Sequence, residues 1–294
     1  MGHSNPDSAG NDKRRGTAVA IAQLVEQHRL AFNNTIARYL PDLSPAIADH
    51  VTIAELLTMT SGLDDAVLSR PNPPTTIAGM VKLIATEHPE FKPGARFLYS
   101  NDGYILLGAI IEKVSGQGYD SYLREHIFKP AGMTHTDARV YTPARVPGTA
   151  HGYMLVGPNG QPVGPGPAPS PGSGSPPATL RDNSATPQIA NPSGGTYSTV
   201  GDLLKFAQAL LHHRLLTPQM TRTILIPRVN SPQPGGPPVD KHTYGFAHRG
   251  FPLRSDFPLR SESEAPPGTC NRAADLGAGH RIRTAADLRA AGLA

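Results

Sequence analysis

The sequence has 294 residues, enough for one large or two small domains with a buried core. Glycine (30 residues) and proline (31 residues) are both abundant, so long irregular segments are expected. The net charge is only +4, and no basic stripe with interleaved aromatic residues is present, which argues against nucleic-acid binding.

Targeting and covalent features are sparse. No apolar run approaches the ~20 residues that span a bilayer, so no membrane span is predicted. The N-terminal charges lead directly into an amphipathic pattern without a cleavage site, so no signal peptide is predicted and a cytoplasmic location is the default expectation. The single cysteine, Cys270, excludes an internal disulfide.

Helical patterns dominate the first three quarters of the chain. Residues 1–16 are polar and are expected to be disordered, and apolar residues at helical spacing over residues 17–28 predict the first helix. Thr52-Ile-Ala-Glu55 has the form of a capping box, and together with other capping signals and helical spacing it predicts further helices at residues 52–57, 75–87, 103–115, 119–128, 199–213 and 217–225.

The helix at residues 103–115 is apolar on nearly all sides, which is typical of a helix buried in a core. Asn101 or Asp102 is the predicted N-cap, and Gly116 ends the helix. By contrast, residues 157–177 are rich in glycine and proline and predict a flexible loop. Residues 251–294 contain few β-branched residues and are expected to form an atypical, disordered tail.

Several segments together carry a family resemblance. Residues 91–139 contain a Pro-Gly turn, then Y-S-N, a helix reading GYxLLGxIIExVSG and a helix reading YxxYLxxxIFxPxGM. Residues 17–26, 37–41, 51–63 and 194–210 agree with further segments of the same pattern. The chain resembles the β-lactamase-related serine hydrolases, which include class C β-lactamases, D,D-peptidases and β-lactamase-type esterases.

The resemblance extends over roughly residues 17–246 and implies an α+β fold of the β-lactamase/transpeptidase type. It implies a partial domain over residues 17–250, truncated at both ends. Most of its helical part would be retained and its antiparallel sheet incomplete. Apolar faces left without that sheet would favour self-association.

The family's chemistry needs an acylated serine, a lysine three residues later on the same helix face, and a tyrosine between them. No S-x-x-K motif occurs anywhere in the sequence. In the family register Asn11 occupies the serine position and Arg14 the lysine position. Ser8 and Lys13 lie nearby at the wrong spacing.

The second motif is present as Tyr99-Ser100-Asn101. By resemblance, Tyr99 would act as general base and acid, and Asn101 would hydrogen-bond the substrate and the lysine. From residue types alone, the alternative is that Tyr99 is a core aromatic residue and Asn101 a helix cap. The third motif has the form H-x-G at His248 and Gly250, which would bind substrate.

Other constellations are weaker. His212 and His213 have no acidic or cysteine partner at ligand spacing, so no metal site is predicted, and the resemblance implies no cofactor. Asp64 and Asp65 are interpreted as a loop after Gly62 and not as an acid/base pair. Met59 stands where the family often has histidine and is expected to be a packing residue.

By resemblance, the predicted function is acyl-serine hydrolysis of a β-lactam, a peptide or an ester, with a small-molecule or peptidoglycan-like substrate. The missing S-x-x-K motif predicts that this activity is impaired. The alternative is a non-catalytic remnant or pseudoenzyme that acts at most as a binding protein.

Overall fold

The computed structural model describes residues 6–70, 72–138, 153–157, 179–182, 191–226, 228–230, 243–246 and 249–250. All of them belong to the first of the two units into which the chain divides, Met1–Pro252. Most of the Gly/Pro-rich segment and the whole of the tail lie outside the described residues, so the predictions for these segments stay predictions.

The described elements follow one another along the chain, with a 3₁₀ turn at Ile36–Arg38 and a π-helical turn at Arg124–Phe128. The helices are α1 (Pro6–Glu26), α2 (Pro45–Ala48), α3 (Ile53–Leu57), α4 (Ile77–Ile84), α5 (Asn101–Ser115), α6 (Tyr119–Leu123), α7 (Lys129–Ala131), α8 (Val200–Leu211) and α9 (Pro218–Leu225). The strands are β1 (Tyr153–Val156), β2 (Thr179–Asp182), β3 (Val229–Asn230), β4 (Thr243–Tyr244) and β5 (Arg249–Gly250).

Helix α1 begins at Pro6, so residues 6–16, which the sequence predicts to be disordered, are helical. The segment from Lys13 to Ala22 is buried on almost every side, apart from the exposed Arg15. Proline, serine, asparagine, aspartate and glycine give residues 6–12 little intrinsic helix propensity. From Lys13 onward, burial in the core stabilises the helix.

Helix α5 is the centre of the core, as its apolar sequence predicts. It packs against α1, α3, α4 and α6. Its N-cap is Ser100, whose Oγ accepts a hydrogen bond from the backbone N–H of Gly103, so the prediction that Asn101 or Asp102 is the cap is wrong. Gly116 ends the helix with φ 76°, a left-handed conformation that glycine adopts without strain.

The capping-box prediction for α3 is confirmed. The Thr52 side chain accepts from the backbone N–H of Glu55, and the Glu55 carboxylate accepts from the Thr52 backbone N–H at 2.7 Å. Threonine also caps three other helices, with the residues Thr76, Thr199 and Thr217.

The described strands form two small antiparallel sheets, one of β1 and β2 and one in the order β3-β4-β5. Helices therefore carry the described core, and the fold is α+β with an incomplete sheet. Among the described residues, no helix combines the length and the apolarity needed to cross a membrane.

Helix α8 has an exposed apolar row on its outer side. Val200, Leu204 and Leu211 are 70%, 58% and 49% exposed, and their spacing places them along one side of the helix. The opposite side of α8 is anchored by Phe206 and Ala209 in the core.

Candidate active site

The N-terminal half of α1 meets the segment that leads into α5. The guanidinium of Arg14 donates hydrogen bonds to the Tyr99 hydroxyl and to Asn101 Oδ1, the latter at 2.6 Å. Arg14 is only 5% exposed, and its contacts with Tyr99 and Asn101 are partly buried. The structure thus brings together three of the residues that the sequence singles out.

Tyr99 and Asn101 owe their positions to the start of α5. The backbone N–H of Leu98 donates to the Met59 carbonyl at 2.8 Å, which ties this segment to the end of α3. Tyr99 is 39% exposed and Ser100 supplies the cap, so the alternative of a core tyrosine and a capping asparagine is wrong. Met59 is 1% exposed, in agreement with the predicted packing role.

Asn11 lies in α1, three residues before Arg14. Residues at this spacing share a helix face, so position 11 is on the same side of α1 as Arg14. The side chain of Asn11 lies outside the described part of the structure.

Lys13 does not take the place of the missing lysine. Its side chain is buried, its Nζ donates to the Ala138 carbonyl at 3.0 Å, and it lies 5.4 Å from the centre of the Tyr119 ring. Burial lowers the pKa of Lys13 to about 8, although the Asp120 and Asp137 carboxylates oppose this shift. Sequence reasoning missed this burial because lysine is rarely buried.

Asp65 holds Asn101 with both carboxylate oxygens. Its Oδ1 accepts from the Asn101 backbone N–H, and its Oδ2 accepts from Asn101 Nδ2 at 2.9 Å. Burial raises the pKa of Asp65, and the hydrogen bonds from Asn101 and the charge of Arg14 oppose this rise. The sequence predicts only a loop at Asp65. The one available signal is that Asp65 lies two residues after the Ser61-Gly62-Leu63 segment.

Asp102 is a second buried carboxyl group behind the site. Its Oδ2 accepts from the Val67 backbone N–H at 3.2 Å, and its Oδ1 has no hydrogen-bond partner in the described part of the chain. Burial raises the pKa of Asp102 to about 7, and the nearby Glu87 and Asp65 carboxylates add to the rise. The sequence analysis considers Asp102 only as a helix cap and does not predict its burial.

The third predicted motif is described only in part. His248 lies outside the described residues. Gly250 is in β5, where it pairs with Thr243 of β4. In the part of the chain that is described, no group of histidine, cysteine, aspartate or glutamate side chains is arranged to hold a metal ion.

A family model described as Beta-lactamase matches residues 17–278, which is most of the chain. The chain belongs to the β-lactamase family. It is a family of serine hydrolases, as the resemblance at Tyr99-Ser100-Asn101 and in the surrounding helices implies.

Curated relatives include penicillin-binding and peptidase homologues. The chain is 29% identical to a putative penicillin-binding protein, PbpX, of Bacillus subtilis (strain 168), over 76% of this chain and 50% of the relative. It is 32% identical to a putative D-alanyl-D-alanine carboxypeptidase of Escherichia coli (strain K12), over 44% of this chain and 33% of the relative. The chain therefore spans half or less of the length of these relatives.

Solved structures agree with the fold. A penicillin-binding protein from Bacillus halodurans matches with a TM-score of 0.61 and 28% identity, over 80% of this chain and 67% of that one. A D-amino acid amidase from Ochrobactrum anthropi SV3, complexed with L-phenylalanine amide, matches with a TM-score of 0.64 and 26% identity, over 81% and 63% of the two chains. The predicted β-lactamase/transpeptidase-like fold is confirmed.

Proposed function

We propose that this chain is a β-lactamase-family hydrolase in which acyl transfer to a serine is impaired at the nucleophile position. The observation that supports this proposal is the pair of hydrogen bonds from the Arg14 guanidinium to Tyr99 and Asn101. A cation thus contacts the tyrosine and asparagine of the second motif, as the family's lysine would by resemblance. The cation is arginine, and Asn11 stands one helical turn before it.

The chemistry explains the impairment. A serine nucleophile needs a neighbouring group that takes up its proton, and a lysine can do so once its pKa is lowered. A guanidinium keeps its proton at any working pH. The amide of Asn11 is not a nucleophile, so both parts of the proton-transfer pair are absent from these two positions.

The proposed substrate class comes from the proteins to which the chain is similar. The matched relatives and structures are described as penicillin-binding proteins, a D-alanyl-D-alanine carboxypeptidase and a D-amino acid amidase. Small molecules or peptides that carry an amide, ester or β-lactam carbonyl are therefore the proposed substrates or ligands. Tyr99, with an exposed fraction of 39%, would meet such a molecule from the solvent side.

The test compares the native chain with the double variant Asn11→Ser/Arg14→Lys. Each protein is incubated with a fluorophosphonate and, separately, with a penicillin, and intact mass is measured after circular dichroism has verified folding. We expect no adduct on the native chain and one stoichiometric adduct at position 11 of the double variant. The single variants Asn11→Ser and Arg14→Lys are the matched controls and are expected to stay unlabelled.

Two results would contradict the proposal. Stoichiometric labelling of the native chain would reveal a nucleophile elsewhere, and a folded double variant that takes up neither reagent would remove the role proposed for positions 11 and 14. The alternative function, that of a non-catalytic binding protein, predicts saturable penicillin binding in calorimetry of the native chain without a change in its mass.

A further inference from the structure

The amide of Asn101 has a fixed orientation in this site. Its donor, Nδ2, faces Asp65 Oδ2 at 2.9 Å, and its acceptor, Oδ1, faces the Arg14 guanidinium at 2.6 Å. A carboxylate accepts hydrogen bonds and donates none, so a flipped Asn101 amide would set its Oδ1 against the oxygen of Asp65. Asp65 thereby determines which end of the amide faces position 14.

The segment that carries Asp65 is itself attached to the start of α5. Ser100 Oγ donates to the Asp64 carbonyl at 3.2 Å, and the Val67 backbone N–H donates to Asp102 Oδ2 at 3.2 Å. These contacts involve residues on both sides of Asp65 in the chain, and they keep its carboxylate next to Asn101. The carboxylate is therefore held in place before any ligand arrives.

We propose that Asp65 is a positioning residue for the Y-x-N motif, which keeps Asn101 Oδ1 directed at the side chain of residue 14. This inference rests on the proposed function, because it concerns how the same site would hold its lysine or arginine. In this role Asp65 does not contact the reacting atoms. Its effect passes through the Asn101 amide to the cation at position 14.

The ionisation state of Asp65 matters for this role, because a protonated carboxyl group loses part of its acceptor capacity. Asn101 and Arg14 face the carboxyl group and favour its charged form, whereas burial and the neighbouring Asp64 disfavour it. From the elements packed nearby, Asp102 and Glu87 also feel the charge of Asp65. The Asn101 amide should therefore report the titration of Asp65 directly.

A test that needs no activity follows the Asn101 side-chain amide of the ¹⁵N-labelled native chain by NMR as the pH is varied. We expect a titration step with a midpoint above the ordinary aspartate value of about 3.9. In an Asp102→Asn background, which removes the titration of the carboxyl group adjacent to Asn101, the step should vanish on adding Asp65→Asn. It should persist on adding Asp64→Asn, the matched control with an exposed carboxylate one residue earlier. An Asn101 amide that titrates in Asp102→Asn/Asp65→Asn as it does in Asp102→Asn would overturn the inference.

A second test uses the Asn11→Ser/Arg14→Lys background and measures the rate of fluorophosphonate labelling. Adding Asp65→Asn should slow the maximal rate about tenfold or more, since small misplacements of catalytic groups cost this much. The half-saturating reagent concentration should stay unchanged, and Asp65→Glu should recover part of the rate. An unchanged maximal rate in Asp65→Asn would contradict the positioning role.

The two ideas fail separately. A double variant that is never labelled overturns the proposed function, and the NMR titration still decides the role of Asp65. An Asn101 amide that is insensitive to Asp65 overturns the positioning role and leaves the labelling test of the proposed function intact.

Discussion

Pro192 lies directly against Gly108 in the middle of α5. A Cβ added to Gly108 would come within 2.0 Å of Pro192 Cγ and 2.6 Å of its Cβ. The Pro192 carbonyl also accepts a hydrogen bond from Thr17 Oγ1 of α1 at 2.9 Å. The proline is thus held between the two central helices and cannot easily withdraw.

Gly108→Ala is therefore expected to destabilise the fold. The added methyl group would force Pro192 or α5 to shift, and overpacking of this kind costs about 1–3 kcal/mol or more. Urea unfolding followed by circular dichroism measures the change. Gly103→Ala is the control in the same helix, because its Cβ would lie 3.5 Å from Leu56 Cδ2, an ordinary contact. It should raise stability by up to about 1 kcal/mol, and equal losses in both variants would contradict the close contact.

Lys13 should make the fold more stable as the pH rises above neutrality. Burial lowers its pKa from the usual 10.5 to about 8, so between these values the unfolded chain binds more protons than the folded one. The free energy of unfolding should therefore increase by about 2 kcal/mol from pH 7 to pH 10 through this group. Unfolding of native chain and Lys13→Met at both pH values isolates the effect, because the variant lacks the amine. Parallel pH profiles for the two proteins would show that Lys13 does not contribute.

Asp102 should make the fold less stable as the pH rises through the acidic range, which is the opposite of the effect of Lys13. Its pKa is raised to about 7 in the folded state, so the folded chain holds a proton that the unfolded chain releases near pH 4. Stability should fall as the pH rises from about 4 to about 7. Asp102→Asn should flatten this decline in thermal melts, whereas the same substitution at the exposed Asp42 should leave it unchanged. A decline that is as steep in Asp102→Asn as in the native chain would place its origin elsewhere.

The exposed row on α8 should promote self-association. Leu204, with 58% of its surface exposed between Val200 and Leu211, is its central member. Leu204→Lys should shift the sedimentation coefficient of concentrated protein towards that of the monomer, because a charge is costly to bury in an apolar contact. Gln219→Lys adds the same charge at an exposed polar position of a different helix, α9, and should have little effect. A native chain that is monomeric at all concentrations would contradict this prediction.

The sequence predicts the fold where local signals and the apolar pattern agree. The capping box at Thr52, the buried helix before Gly116 and the packing role of Met59 all follow from residue type and spacing. The sequence does not identify the N-cap of α5, because Ser100, Asn101 and Asp102 are three consecutive residues of capping type. Only the backbone geometry of Ser100 distinguishes among them.

Several contacts of the candidate site join segments that are distant in the sequence, so local sequence patterns do not predict them. The contact between Arg14 and the Y-S-N segment follows from the family register, which placed a cation at that position. The two hydrogen bonds from Asn101 to Asp65 join segments that are 36 residues apart, and no local pattern reports them. The burial of Lys13 is equally absent from the sequence pattern, because lysine is rarely buried.

The contacts of Arg14 also limit how such a chain can change over generations. On the proposed mechanism, a serine at position 11 gains nothing while a guanidinium stands one turn away, and a lysine at position 14 gains nothing while position 11 holds an amide. Either replacement alone leaves the rate of acyl transfer unchanged, so selection favours neither substitution until both are present. The path back to catalysis would then depend on drift through a silent intermediate.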